Sequence, residues 1–322
     1  MLRPGLSMLW ESSDAARELP ERFGLDDLDT AGQWLAGVLA EHWGLRTTAL
    51  TRLTLSDHNA IAWVSSDRGP VAVKFSAAAE HFARLAGTTQ LLTHLATHGL
   101  PVAAPLPTRD GSTRVVADGP AGQLSLAVLP EVEGDWLDVA DLRAVHAVGA
   151  CLASLHHALG DVDPGDAPRP LRTRLAGWLD ERDPGRAPAA SARLAALLEG
   201  LPELEDSPQL IHGDYRAANL LMRDGTVAAV LDLDEARADH RIADLAQAGT
   251  YLATLFRDWG PTPAPAREAL RAGYESVRRL SPAESAWLEA LTLWMGIAAI
   301  PPGDDGRWSA AVPGPAAASS VV

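Results

Sequence analysis

The spacing of apolar positions changes near residue 130. Before it, short alternating stretches at Ala60–Val64 and Val71–Phe75 flank the turn-forming run SSDRGP. This predicts a β-hairpin with Lys74 near the end of its second strand. Arg114–Ala117 and Leu124–Leu129 read as further strands. Helical spacing enters twice among them. Ala31–Trp43 places Trp34, Leu35, Val38 and Leu39 on one face, with Thr30 as its cap and Gly44 as its end, and a second helical segment covers 78–98. After Gly134 the helical period dominates. Leu142, Val145, Val148, Leu152, Leu155 and Leu159 make one stripe over Asp141–Leu159, and helical patterns recur at 171–181, 190–200, 241–257, 265–279 and 281–299. The expectation is an α+β chain, strand-rich over 25–130 and helix-rich over 131–300, changing over at Pro130–Gly134. Residues 1–24 read as a peripheral N-terminal extension, and 301–322, ending in Ala, Pro and Ser, as a disordered tail.

Composition narrows the function classes. The chain has 322 residues, enough to bury a core without disulfides, and a net charge of -15. That acidity leaves no basic stripe for phosphate backbones and argues against nucleic acid as a partner. Of 27 Lys and Arg residues, Lys74 is the single lysine. The lone cysteine, Cys151, lies in an apolar helical run, excludes an internal disulfide and reads as an inert buried thiol. No run of ~18 apolar residues marks a membrane span. Met1–Trp10 lacks the apolar core of a signal peptide, so a cytoplasmic protein without a membrane partner is expected.

The chemistry concentrates in LIHGDYRAANLLM, residues 210–222, and RDGTVAAVLDLDEAR, residues 223–237. Asn219 follows Asp214 by five residues, Asp224-Gly225 is a hairpin signal, and Val227–Leu231 is a short apolar strand leading to Asp232. One tight turn would therefore bring Asp214, Asn219 and Asp232 onto one unit. Phosphoryl transfer needs such a set: a carboxylate to accept the proton of an attacking hydroxyl, and hard oxygen ligands to hold Mg2+ against the β- and γ-phosphates. Lys74 supplies a compact cation of the kind that pairs with nucleotide phosphates.

Together, VAVK ending at Lys74, HGDYRAAN, LDLDEA and ADLAQ at 243–247 resemble the aminoglycoside phosphotransferase family, small-molecule kinases for aminoglycosides, choline and homoserine. The resemblance implies a bilobal protein-kinase-like fold, with a small β-rich N-lobe binding nucleotide and a larger helical C-lobe carrying catalysis and acceptor. It makes Asp214 the catalytic base, Asn219 and Asp232 ligands of Mg2+, Lys74 the nucleotide-phosphate lysine, and His212 a structural brace rather than a base. It sets Pro130, Glu131 and Val132 at an adenine-binding hinge, where Pro130 offers only a carbonyl. Arg216 would touch the transferring phosphate, or else lie exposed at the surface or in an ion pair. Two features depart from the pattern. LTLSDHNAIAWV replaces a glycine-rich loop, with Ser56, His58 and Asn59 set to approach the nucleotide phosphates through a tight turn, and the helix after Lys74 lacks the expected Glu partner, Glu80 being its only acid.

Other residues carry two readings each. Asp234 would share a side with Asp232 in an extended segment and assist the metal or substrate, or be hydrogen-bonded structure. Glu235 and Asp239 would line an acidic site for an amine-bearing acceptor, or form a solvated loop. Asp244 reads as a structural carboxylate, and His156 and His157 as core or interface histidines. Trp287 and Trp294 share a helical face and read as core, whereas Trp308 is a candidate cleft wall. The expected function is ATP-dependent phosphorylation of a small hydroxylated molecule. The alternative, suggested by the missing Glu, is an inactive kinase-like module that only binds nucleotide.

Overall fold

A computed structural model describes residues 5–181, 187–304 and 306–312. The chain divides into two compact units, Met1–Glu133 and Gly134–Val322.

The first unit is built on a six-stranded sheet. Its strands are β1 (Gly5–Met8), β2 (Thr47–Ser56), β3 (Asn59–Ser66), β4 (Gly69–Ser76), β5 (Val115–Gly119) and β6 (Gly122–Pro130), in the order β1-β2-β3-β4-β6-β5. β1 runs parallel to β2 and the other pairs are antiparallel. Strand alternation sends Leu53, Leu55, Ala60, Ala62, Val71, Val73 and Phe75 to one buried face. Helices α1 (Ala15–Phe23) and α2 (Leu28–Val38) supply Leu19, Phe23, Ala31 and Leu35 to the same core. The rings of Phe23 and Phe75 meet edge-on at 5.2 Å. Residues 5–24 are thus part of this core and not a peripheral extension: a short amphipathic helix has its apolar face buried here. Asp27, not Thr30, caps α2, and Thr30 instead completes a capping box by bonding back to the Asp27 N–H at 2.9 Å. Helix α3 (Phe82–Thr97) carries no acidic residue, because Glu80 lies on the exposed 3-10 turn Ala79–His81 ahead of it.

The second unit is mainly helical, with α4 (Leu142–Leu159), α5 (Leu171–Glu181), α6 (Pro188–Gly200), α7 (Arg241–Tyr251), α8 (Ala264–Val277), α9 (Pro282–Ala299) and α10 (Arg307–Ala311). Two small sheets join them. β7 (Asp135–Trp136), β9 (Leu220–Arg223) and β10 (Thr226–Val230) form one, in the order β10-β9-β7. β8 (Gln209–Ile211) and β11 (Arg237–Asp239) form the other. Gly149 on α4 and Gly273 on α8 face one another's helix so closely that a methyl at either would overlap the carbonyl oxygen of Leu270 or of His146. The first part of the expected tail is ordered, since α10 buries Trp308. Residues 313–322 lie outside the described residues. No helix among the described residues is long and apolar enough to cross a membrane.

Candidate active site

The loop between β8 and β9 carries His212, Gly213, Asp214, Arg216 and Asn219. Gly213 has φ +80, and its Cα position is crowded by Arg237 and the Glu235 carbonyl, so a side chain is excluded on both counts. The Gly213 carbonyl is bonded by Gln247 and by Arg237 Nη1, the latter at 3.2 Å. His212 is fully buried, and both ring nitrogens are spent on backbone. Nδ1 accepts the Asp214 N–H at 3.1 Å, so Nε2 donates to the Leu231 carbonyl at 3.0 Å. With both nitrogens bonded, His212 ties the loop to the residue before Asp232.

Below the loop lies Asp244, in the first turn of α7 and fully buried. Its carboxylate accepts the His212 N–H at 2.9 Å and the Gly213 N–H at 3.0 Å. His156 of α4 approaches it through Nε2 at 3.0 Å and meets the Tyr274 hydroxyl of α8 through Nδ1 at 2.9 Å. The Nε2–H of His156 therefore donates to the Asp244 carboxylate. Burial alone would raise the Asp244 carboxyl, but the His156 hydrogen bond and the Gly213 N–H hold it below the ordinary aspartate range. Cys151, on the same helix as His156, has its thiol pushed up to about 11 by burial, which keeps it protonated and unreactive.

Asp214 is partly exposed. Arg216 Nε lies 2.9 Å from its carboxylate, and the Asn219 amide nitrogen donates to Oδ2 and to the main-chain oxygen, each at 2.8 Å. Of the readings of Arg216, the ion pair is present and the side chain is not an exposed surface group, and its guanidinium also rests 5.2 Å from the Trp259 ring centre. The hairpin signal is realised: Asp224 and Gly225 have φ 52 and 74, as a two-residue turn with left-handed centres requires. The ladder runs on past β10, with the Leu231 N–H on the Asn219 carbonyl at 2.8 Å, which sets Asp232 next to Asn219.

Asp232 is exposed with φ 59, and Leu233–Glu235 turns into a 3-10 helix. The segment is not extended, so the expectation that Asp234 shares a side with Asp232 fails. Glu235 is exposed. Asp239 is neither solvated nor available to an acceptor. It is buried, 2.6 Å from Arg174, and caps the His240 N–H at 2.8 Å.

In the first unit, pairing register puts Ser56 opposite Asn59, Asn59 opposite Ser76, and Ile61 opposite Lys74. Ser56, Asn59 and Lys74 therefore project from the sheet face opposite the core. Pro130 ends β6, and the Glu131 N–H is bonded to the Pro70 carbonyl at 3.2 Å. Of the two donors offered for adenine, Val132 is the one left.

A cavity of about 610 Å³ in the second unit is lined by Tyr251, Trp259, Trp308, Asp304 and Arg307 among others. Trp308 was anticipated as a wall. Trp259 and Tyr251 were not, because Trp259 sits in a loop without periodicity and Tyr251 on a helix whose pattern reads as core. Trp287 is core, donating to the Pro202 carbonyl at 2.8 Å, and Trp294 packs edge-on to Trp178 at 6.2 Å.

The family model described as Phosphotransferase enzyme family matches residues 51–283. A homoserine kinase of Gluconacetobacter diazotrophicus is 34% identical over 217 residues, covering 62% of this chain and 63% of that protein. A homoserine kinase of Rhizobium meliloti is 32% identical over 213 residues, covering 63% and 61%. The chain thus spans somewhat under two thirds of the length of these curated relatives. Among solved structures, amicoumacin kinase superposes with a TM-score of 0.59 at 17% identity, covering 87% of this chain and 86% of that one. A macrolide 2'-phosphotransferase from Brachybacterium faecium superposes with a TM-score of 0.57 at 21% identity, covering 87% and 96%. These likenesses establish the kinase-like fold. With the ordered loop motifs and a match over most of the chain, this protein belongs to the phosphotransferase enzyme family.

Proposed function

We propose that this protein transfers the γ-phosphoryl group of ATP to a hydroxyl of a small, amine-bearing molecule. The observation that carries the reading is the Asp214 carboxylate, held at 2.8–2.9 Å by Asn219 and Arg216. In the reaction the acceptor oxygen attacks the γ-phosphorus, the bond to the β,γ-bridging oxygen breaks, and ADP leaves. The acceptor proton passes to Asp214. Positioning does most of the work in such a transfer, and Asp214 is positioned by Asn219, Arg216 and the His212 brace together. Lys74 on β4 would pair with the nucleotide phosphates, with Ser56 and Asn59 on the same face and Val132 offering its N–H to adenine.

The donor set fits Mg2+. Spending the Asn219 nitrogen on Asp214 leaves its amide oxygen to serve as a ligand, and Asp232 would supply a carboxylate, both hard ligands. When bound there, the ion would neutralise charge on the β- and γ-phosphate oxygens. Nucleotide analogues in solved relatives, AMP-PNP with amicoumacin kinase and ADP with spectinomycin phosphotransferase, support ATP as donor. For the acceptor, the relatives named homoserine kinase and aminopropanol kinase support a hydroxylated amine. The cavity walled by Trp259, which carries the Asp214-bound Arg216, is the place for it.

The test is ADP release on a panel of homoserine, amino alcohols, aminoglycosides and sugars, for wild type and Asp214→Asn. A fall of about 10²–10⁴ in turnover with ATP binding retained is expected. Equal turnover would overturn the role of Asp214. Nucleotide binding without turnover on any acceptor would favour the inactive module.

A further inference from the structure

The residues ahead of the family match converge on one turn. β1 lies parallel to β2, and the Leu9 N–H on the Leu55 carbonyl, at 2.8 Å, carries that pairing one residue further. The chain then delivers Glu11 and Arg22 to the tip of the β2–β3 hairpin. Glu11 Oε1 accepts the Asp57 N–H at 2.8 Å, and Arg22 Nη1 donates to the Asp57 carbonyl at 2.6 Å and to Glu11 Oε1 at 3.0 Å. Both main-chain polar groups of Asp57, a residue with φ 47, are therefore tied to side chains from outside the hairpin. Arg22 is itself held, its Nε donating to Glu18 Oε2 at 2.8 Å, and Glu18 is buried and bonded a second time by Arg17 at 2.9 Å.

A two-residue hairpin tip ordinarily leaves its backbone polar groups to water and moves freely. This one is fixed at two charge-assisted points, by Glu11 and Arg22, which are themselves paired to one another and to Glu18, and its flanking residues Ser56 and Asn59 stand on the face that carries Lys74. We propose that Glu11 and Arg22 are positioning residues for the nucleotide: they lock the β2–β3 turn in the conformation that meets the triphosphate. A preorganised turn binds more tightly because its ordering cost is met on folding rather than on binding. The inference rests on the reading of the Lys74 face as the nucleotide site.

The experiment measures ATP affinity by calorimetry, together with amide exchange and melting temperature, for wild type, Arg22→Ala, Arg22→Lys and Glu11→Gln. Arg22→Ala should weaken ATP binding about tenfold and speed exchange at Asp57–Asn59, with Arg22→Lys recovering most of the loss. Should Arg22→Ala not fold, Glu11→Gln, which keeps the side-chain shape, makes the same comparison with a smaller expected loss. A purely structural brace would lower the melting temperature while the folded variants bind ATP as wild type does, and that result overturns the inference alone. A wild-type protein that binds no ATP overturns the nucleotide reading and this inference with it.

Discussion

Asp214 is placed by atoms that belong to other residues. Its N–H is held by His212, its carboxylate by Arg216 and Asn219, and the two preceding N–H groups by Asp244. Asp244 is the keystone, a buried carboxylate with three donors. Its ionised form is favoured in the folded state, so its folded value lies below the ordinary value of 3.8. The stability it contributes is present in full above that ordinary value and is lost as pH falls through the lower folded one. Asp244→Asn should cost about 3 kcal/mol near neutral pH, because His156 and the loop N–H groups lose their anion. The difference from wild type should narrow in denaturant melts taken below about pH 4. A constant difference across that range would show that the charge of Asp244 does not carry the effect.

At the scale of elements, the close approach of α4 and α8 matters because these helices carry His156 and Tyr274 to Asp244. Only glycine at positions 149 and 273 lets the two backbones come so near. Neither helix can give way without moving His156 or its hydrogen-bond partner Tyr274. Gly149→Ala should therefore destabilise the protein by about 2–3 kcal/mol, read from chemical denaturation, and should lower activity by more than the stability loss alone explains. The hydrophobic stripe of α4 was legible in sequence because burial on one face of a helix imposes the three- and four-residue period. The role of Gly149 was not, since a glycine inside such a stripe looks the same whether it faces solvent or a neighbouring backbone. The β9–β10 hairpin was legible for the opposite reason: Asp-Gly encodes its turn locally.

The whole molecule needs more chain than the family match covers. Leu19 and Phe23 lie ahead of residue 51 yet are fully buried in the first unit, and β1 closes one edge of its sheet. Removing residues 1–24 exposes the apolar surface those two side chains cover, at ~1.5–3 kcal/mol for each. Together with the lost strand, that approaches the marginal stability of a domain. The shortened protein should lose the cooperative melt of its first unit and become protease-sensitive there. An unchanged melt would show that the segment is dispensable to folding.

The sequence by itself determined what local chemistry encodes. The change of apolar period separated a strand-rich from a helix-rich part, and the ordered run of Lys74, Asp214, Asn219 and Asp232 was readable from spacing and residue type. Tertiary structure alone decided which polar groups are spent on one another. It committed both nitrogens of His212 and the Glu131 N–H, withdrew Asp239 into an ion pair with Arg174, and turned Asp234 away from an extended course. It also joined Glu11 and Arg22 to Asp57, and set Trp259 and Tyr251 around one cavity. Those pairings link residues far apart in the chain, and neither periodicity nor a short motif records a contact that only folding creates.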